Sequence, residues 1–163
     1  MMSPKPQYSI NNYSKDKPFK LIYVSIVDLY KHQWHVIKAI HLLRKKGFPL
    51  TIDLIGGFVS PALVHLNKAI MKYDPNKEWI KYHGELPYDT LNETYKESDL
   101  TIFASSCESI SNILLEKMAS GMPIACSSYG PLPEVLGDGG IYFEFCCNAS
   151  YVFKTYSSKS RLS

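Results

Sequence analysis

No apolar run in the 163 residues is long enough to cross a membrane as a helix. The polar start, Met1-Met2-Ser3-Pro4-Lys5, is not that of a secretory leader. The four cysteines (Cys107, Cys126, Cys146, Cys147) lack the paired spacing of a zinc site, and two adjacent ones are a poor basis for a disulfide framework. Reduced thiols in a cytoplasmic protein are the expectation. His32, His35, His41, His65 and His83 form no close cluster with Asp or Glu, so no metal is expected, although His32 and His35 are spaced to face one another at a helix start. A net charge of +3, evenly scattered, argues against a nucleic-acid partner. No Gly-x-Gly-x-x-Gly follows the first apolar run, against an NAD-type dehydrogenase. No Gly-x-Ser-x-Gly surrounds Ser105 and Ser106, against a serine hydrolase. Internal repeats and low-complexity tracts are also missing.

What remains is one domain by length, built of short apolar runs alternating with amphipathic ones. Residues 1–18 are polar and aperiodic and read as a tail or linker. Strands are expected over Phe19–Ile26, Leu50–Ile55, near Trp79–His83, over Leu100–Ala104, Pro123–Cys126 and Gly140–Phe143. Helices are expected over about 33–46, with Val36, Ile37, Ile40 and Leu43 inward, over Ser60–Tyr73, from Pro87 to about Glu97, from about Ser111, and briefly after Gly130. This alternation predicts an α/β fold: a Rossmann-like open parallel sheet of about six strands with helices on both faces. The folded domain is placed at 19–144. Residues 145–163, with Cys146-Cys147 and a Ser-, Lys- and Tyr-rich close, have no helix period and read as an irregular tail.

The most informative stretch runs from Glu108 to Pro123. The apolar strand Leu100–Ala104 gives way to a polar turn, and Ile110, Ile113, Leu114 and Met118 then recur at helical spacing as one apolar face. Gly121 and Pro123 stop the helix. A helix starting near Ser111 presents free N–H groups and a positive dipole end beside Glu108, where an anion is favoured. Glu116 lies outside the apolar arc, roughly 7–8 Å along the axis from the helix start. That is about the span of a diphosphate joining two sugar rings. Spacing alone leaves two readings open: a helix-start charge and a solvated one, or two carboxylates holding hydroxyls on either side of a diphosphate. Elsewhere, Cys107 is expected to be small and buried. His32 reads as a helix-start polar residue, and the tyrosines as packing residues. Asp28 and Asp53 stay open between ribose binder and local polar group.

Glu108-x7-Glu116 followed by Lys117-Met118-Ala119-Ser120-Gly121-Met122-Pro123 resembles the signature of the retaining nucleotide-sugar glycosyltransferases of family 4, in the donor-binding domain of their two-domain glycosyltransferase B fold. The likeness extends through Lys31, Leu54-Ile55-Gly56-Gly57, Tyr82-His83-Gly84, Pro133-Glu134 and Gly139-Gly140. It implies that Glu108 contacts the transferred sugar and Glu116 the ribose. It also implies that backbone N–H groups around Ser109, Ile110, Ser111 and Asn112 face the diphosphate and that Lys31 pairs with it; otherwise Lys31 is a solvated loop lysine. The implied function is the donor half of a retaining glycosyltransferase using a nucleoside diphosphate sugar and no metal. The alternative is a nucleotide-sugar binding module or inactive remnant. In either case the N-terminal acceptor domain is missing from this chain and would have to come in cis or in trans. Two departures stand out. Ser25-Ile26-Val27 occupies the place of a common phosphate-binding cation, and Glu108-Ser109-Ile110-Ser111 replaces the family's Glu-Gly-Phe-Gly.

Overall fold

Runs of β-branched and aromatic residues too short to fold alone, separated by helices with one apolar stripe, bury both only by stacking in layers. The computed structural model, which describes residues 13–108, 112–119 and 121–144, shows how. Among these residues six strands form one parallel sheet: β1 (Phe19–Val24), β2 (Leu50–Ile55), β3 (Ile80–Tyr82), β4 (Leu100–Phe103), β5 (Ile124–Ser127) and β6 (Ile141–Phe143). Their order is β3-β2-β1-β4-β5-β6, every neighbouring pair parallel. The helices are α1 (Gln33–Lys45), α2 (Ser60–Tyr73), α3 (Tyr88–Lys96), α4 (Asn112–Ala119) and α5 (Leu132–Leu136). The expected α/β, Rossmann-like sheet is what the chain builds.

Strand alternation divides the core. On one face Leu21, Tyr23, Ile52, Leu54, Ile102 and Ala125 pack against α1 and α2. On the other, Phe103, Ile124 and Cys126 meet Leu114 of α4 with Leu132 and Leu136 of α5. The central strand β1 is buried at three successive positions, Leu21, Ile22 and Tyr23, as a strand covered on both faces must be.

Two of the expected helix faces need correction. In α1 the inward stripe begins with Gln33, which is buried because its Nε2 donates to Ser25 Oγ (3.0 Å) and to the Ile26 carbonyl (2.9 Å), while Leu43 is only half-buried. In α4 the inward positions are Leu114 and Lys117, whereas Met118 is 36% exposed and Ile110 lies outside the described residues. Residues three apart share a helix face, and Ile113, partly buried, packs beside that stripe against the same core as expected.

β1 ends at Val24, two residues before the expected Ile26, because its continuation pairs with the loop after β2 instead of a strand. Val27 N–H donates to Gly57 O (2.8 Å) and Val59 N–H to Val27 O (2.9 Å). Gly56 makes this possible: its φ is +137°, and a Cβ there would overlap the Ser25 carbonyl oxygen. At the other end of the sheet Tyr13 packs edge-on against Phe19 (4.9 Å between centroids) and donates to Asp99 (3.2 Å), so the last residues before β1 lie against the sheet. Residues 1–12 and 145–163, the bulk of the two expected tails, lie outside the described residues.

Candidate functional site

In a parallel sheet, strands on either side of the point where the order reverses send their following loops in opposite directions, leaving a crevice at the carboxyl edge. Here that point falls between β1 and β4. After β1, Asp28 accepts the Leu29 N–H (2.6 Å) and starts a single 3-10 turn, Leu29–Lys31. That capping contact gives Asp28 a local role. The turn aims Lys31 inward, 4% exposed, and its Nζ forms an ion pair with Glu108 Oε1, in the loop that leaves β4. A solvated loop lysine is therefore ruled out.

Several hydrogen bonds hold the two loops together. The buried Tyr23 hydroxyl donates to Lys31 O (2.6 Å) and accepts from Ala104 N–H (3.3 Å). Ser106 N–H donates to Tyr30 O (2.9 Å). The Ser127 hydroxyl donates to the Ser105 carbonyl, joining β5 to the same loop. His32, in the left-handed region at φ 56°, brings Nε2 within 2.7 Å of Ser106 Oγ, and its Nδ1 faces that of His35 at 3.4 Å. Burial lowers the affinity of both imidazoles for a second proton, with the neighbouring cationic groups adding to it: His35 for His32, and Lys38 for His35.

A second lysine underlies this edge. Lys117 is 1% exposed, its Nζ reaching Val24 O (3.2 Å) and Ile102 O (3.4 Å). Both ammonium groups lie near the Phe103 ring, at 5.3 Å for Lys31 and 4.9 Å for Lys117. Burial, and then repulsion from Lys31, lower Lys117 to a pKa of about 7, while burial pushes the neighbouring Cys126 thiol up to about 12.

Of the site residues expected from sequence, Lys31 and Glu108 are thus brought together. Asn112 is the exposed first residue of α4, and Glu116 is exposed one turn further along. The Glu116 charge, after burial, helps push the Tyr95 hydroxyl of α3 up to about 12. Ser109, Ile110 and Ser111 lie outside the described residues, so the N–H groups assigned to them are not seen. Cys107, expected to be buried, is exposed, because the loop turns outward immediately after Ser105. Asp53 is engaged by His83 (2.6 Å between Oδ1 and Nε2), which gives it a local partner. Sequence reasoning missed Lys117 and Gln33, both polar residues on apolar helix faces. Their only signal was position: Lys117 falls three residues after Leu114.

Among the described residues, no three His, Cys, Asp or Glu side chains gather as a metal site would require, and no helix is long and apolar enough to cross a membrane.

Comparisons with known proteins bear on this edge. The chain is 27% identical over 123 residues to the O-antigen chain mannosyltransferase B of Escherichia coli, covering 74% of this chain and 31% of that protein. Over 57 residues it is 35% identical to an uncharacterized glycosyltransferase of Methanocaldococcus jannaschii, which covers 35% of this chain and 15% of the relative. Its fold is similar to that of Anabaena HepE, solved in complex with UDP and glucose (TM-score 0.66, 19% identity, 80% of this chain and 35% of that one). It is also similar to the pneumococcal O-GlcNAc transferase GtfA, solved in complex with UDP and GlcNAc (TM-score 0.60, 26% identity, 70% and 21%). The chain spans about a third of the mannosyltransferase and of HepE. The family model for glycosyl transferases group 1 matches residues 5–160. That match runs through all six strands and both loops of the switch point, and the chain belongs to the glycosyl transferases group 1 family.

Proposed function

We propose that this chain is the donor-binding domain of a retaining, family 4 glycosyltransferase, and that it binds a nucleoside diphosphate sugar at the β1–β4 switch point. The observation that carries this reading is the buried Lys31–Glu108 pair at that crevice. Without a ligand the two side chains satisfy each other. An incoming diphosphate offers Lys31 a doubly charged partner and releases Glu108 to accept hydrogen bonds from the sugar hydroxyls. The diphosphate also meets the positive end of α4, at Asn112. Glu116, roughly 6 Å further along the helix axis, is placed to hold the ribose hydroxyls.

Catalysis on this reading is electrostatic. Lys31 and the α4 N-terminus stabilise the charge that grows on the departing diphosphate, and Glu108 orients the sugar whose bond breaks. The chain's own cations neutralise the diphosphate, and no metal is called for. The acceptor is held by a second domain, supplied in cis or in trans. The exposed thiol of Cys107 suits a reducing cytoplasm.

Isothermal titration with UDP, GDP, ADP and their glucose and mannose derivatives tests the assignment. Glu116→Ala, at an exposed site, should leave the fold intact and weaken nucleotide binding by about 10-fold or more, the worth of a charge-assisted hydrogen bond. Glu108→Ala should weaken the sugar nucleotide more than the bare nucleotide. Equal and negligible effects of both, in folded variants, would sink the proposal.

A further inference from the structure

A lysine is an expensive residue to place on the inward face of a helix, yet α4 buries Lys117 beside Leu114 as fully as any core side chain. Its position explains what it does there. β1 and β4 pair only at Leu21–Leu100 and Ile22–Thr101. Beyond that register the two strands share no ladder, and the sheet begins to open toward the crevice. Lys117 Nζ donates to Val24 O at 3.2 Å and to Ile102 O at 3.4 Å, one carbonyl on each strand where the pairing lapses. The loops that follow those strand ends carry Lys31 and Glu108.

Charged and titratable groups face Lys117 from every side. Lys31 comes from the turn after β1, Glu108 from the loop after β4, Cys126 from β5 and Glu116 from α4 itself. The ring of Tyr23, on β1, lies 5.7 Å from its Nζ. Lys31 and Lys117 share the Phe103 ring. Two cations near one another in a desolvated site repel, and that repulsion adds to burial in lowering the proton affinity of Lys117.

We propose that Lys117 is a positioning residue whose amine joins the carboxyl ends of β1 and β4 and takes up a proton from solvent when a nucleoside diphosphate binds at that edge. The inference rests on the donor-site reading given above. A neutral amine keeps two N–H donors, enough to hold both carbonyls, so the join survives either protonation state. Charge is the variable: diphosphate drawn to Lys31 adds negative potential, and the Nζ lone pair then accepts a proton. The site thus gains positive charge as the anion arrives.

Isothermal titration of UDP into the whole chain at pH 8, in buffers of different ionisation enthalpy, counts the protons exchanged. The terminal phosphate of UDP is already ionised at that pH. With the free amine near pH 7, diphosphate raises its hold on the proton, so at pH 8 a fraction of a proton is taken up per UDP and affinity falls with rising pH by at most ~10-fold per unit. Lys117→Arg keeps its charge and should bind UDP without uptake; Lys117→Met should bind more weakly, also without uptake. Should neither variant fold, the ζ-nitrogen resonance of Lys117 in the wild-type chain reports the same proton, and its midpoint must rise on adding UDP. UDP binding without uptake, uptake retained in either folded variant, or an unmoved midpoint would overturn the role of Lys117 alone. Failure to bind UDP, GDP or ADP at all would overturn the donor site and this inference together.

Discussion

Replacing Lys117 by methionine should change how stability depends on pH, in a direction that the burial of the amine dictates. In the unfolded chain Lys117 titrates at the ordinary value of 10.5, and in the folded chain at about 7. A cation whose folded pKa lies below its unfolded pKa destabilises the fold. The penalty is full below about pH 7 and fades as pH rises toward 10.5, because between those limits the unfolded state binds the extra proton. At 1.36 kcal/mol per unit, and allowing for half-titration at pH 7, wild type should gain roughly 1–2 kcal/mol relative to Lys117→Met between pH 7 and 8.5. Comparing the two chains cancels the titration of groups they share. Urea unfolding followed through Trp34 and the buried Trp79 measures both stabilities. Parallel curves for the two proteins over this range would refute the reasoning. A wild type that loses ground as pH rises would mean that the fold favours the ammonium.

Two further substitutions test the scaffold beneath the site. Leu114→Ala empties a fully buried position between α4 and strands β4 and β5, and should cost about 2–5 kcal/mol, seen as a lower urea midpoint at unchanged slope. Gly56→Ala forces a side chain into the left-handed region and into the Ser25 carbonyl, so it should destabilise by more than the ~1 kcal/mol expected of strain alone. Gly47→Ala, at φ +95° with no atom within 4 Å, is the control that carries strain without the clash.

Most of the fold was legible because its signals are local. β2 and α2 were expected at Leu50–Ile55 and Ser60–Tyr73 and are found there, each bounded by turn residues or proline. Errors arose where a segment's partner lay elsewhere in the chain. The end of β1 is overrun because Ile26 and Val27 are apolar enough for a strand, but Val27 pairs with the loop of Gly57. Cys107 was misjudged because residue type says little about which way a loop turns after the strand.

What the sequence determined by itself is the alternation of strands and helices, hence the parallel α/β class. It also marked the junctions where Lys31 and Glu108 stand, because hydrophobic period and chain punctuation are properties of neighbouring residues. What only the tertiary structure decided is which of those junctions meet. β4 lies against β1 although two strands and three helices intervene, and this brings Lys31 to Glu108 across 77 residues of chain. The same packing turns Lys117 from an ordinary helix lysine into a buried amine. Burial depends on what the rest of the fold lays over a side chain, and desolvation then sets the proton affinity that its residue type leaves open.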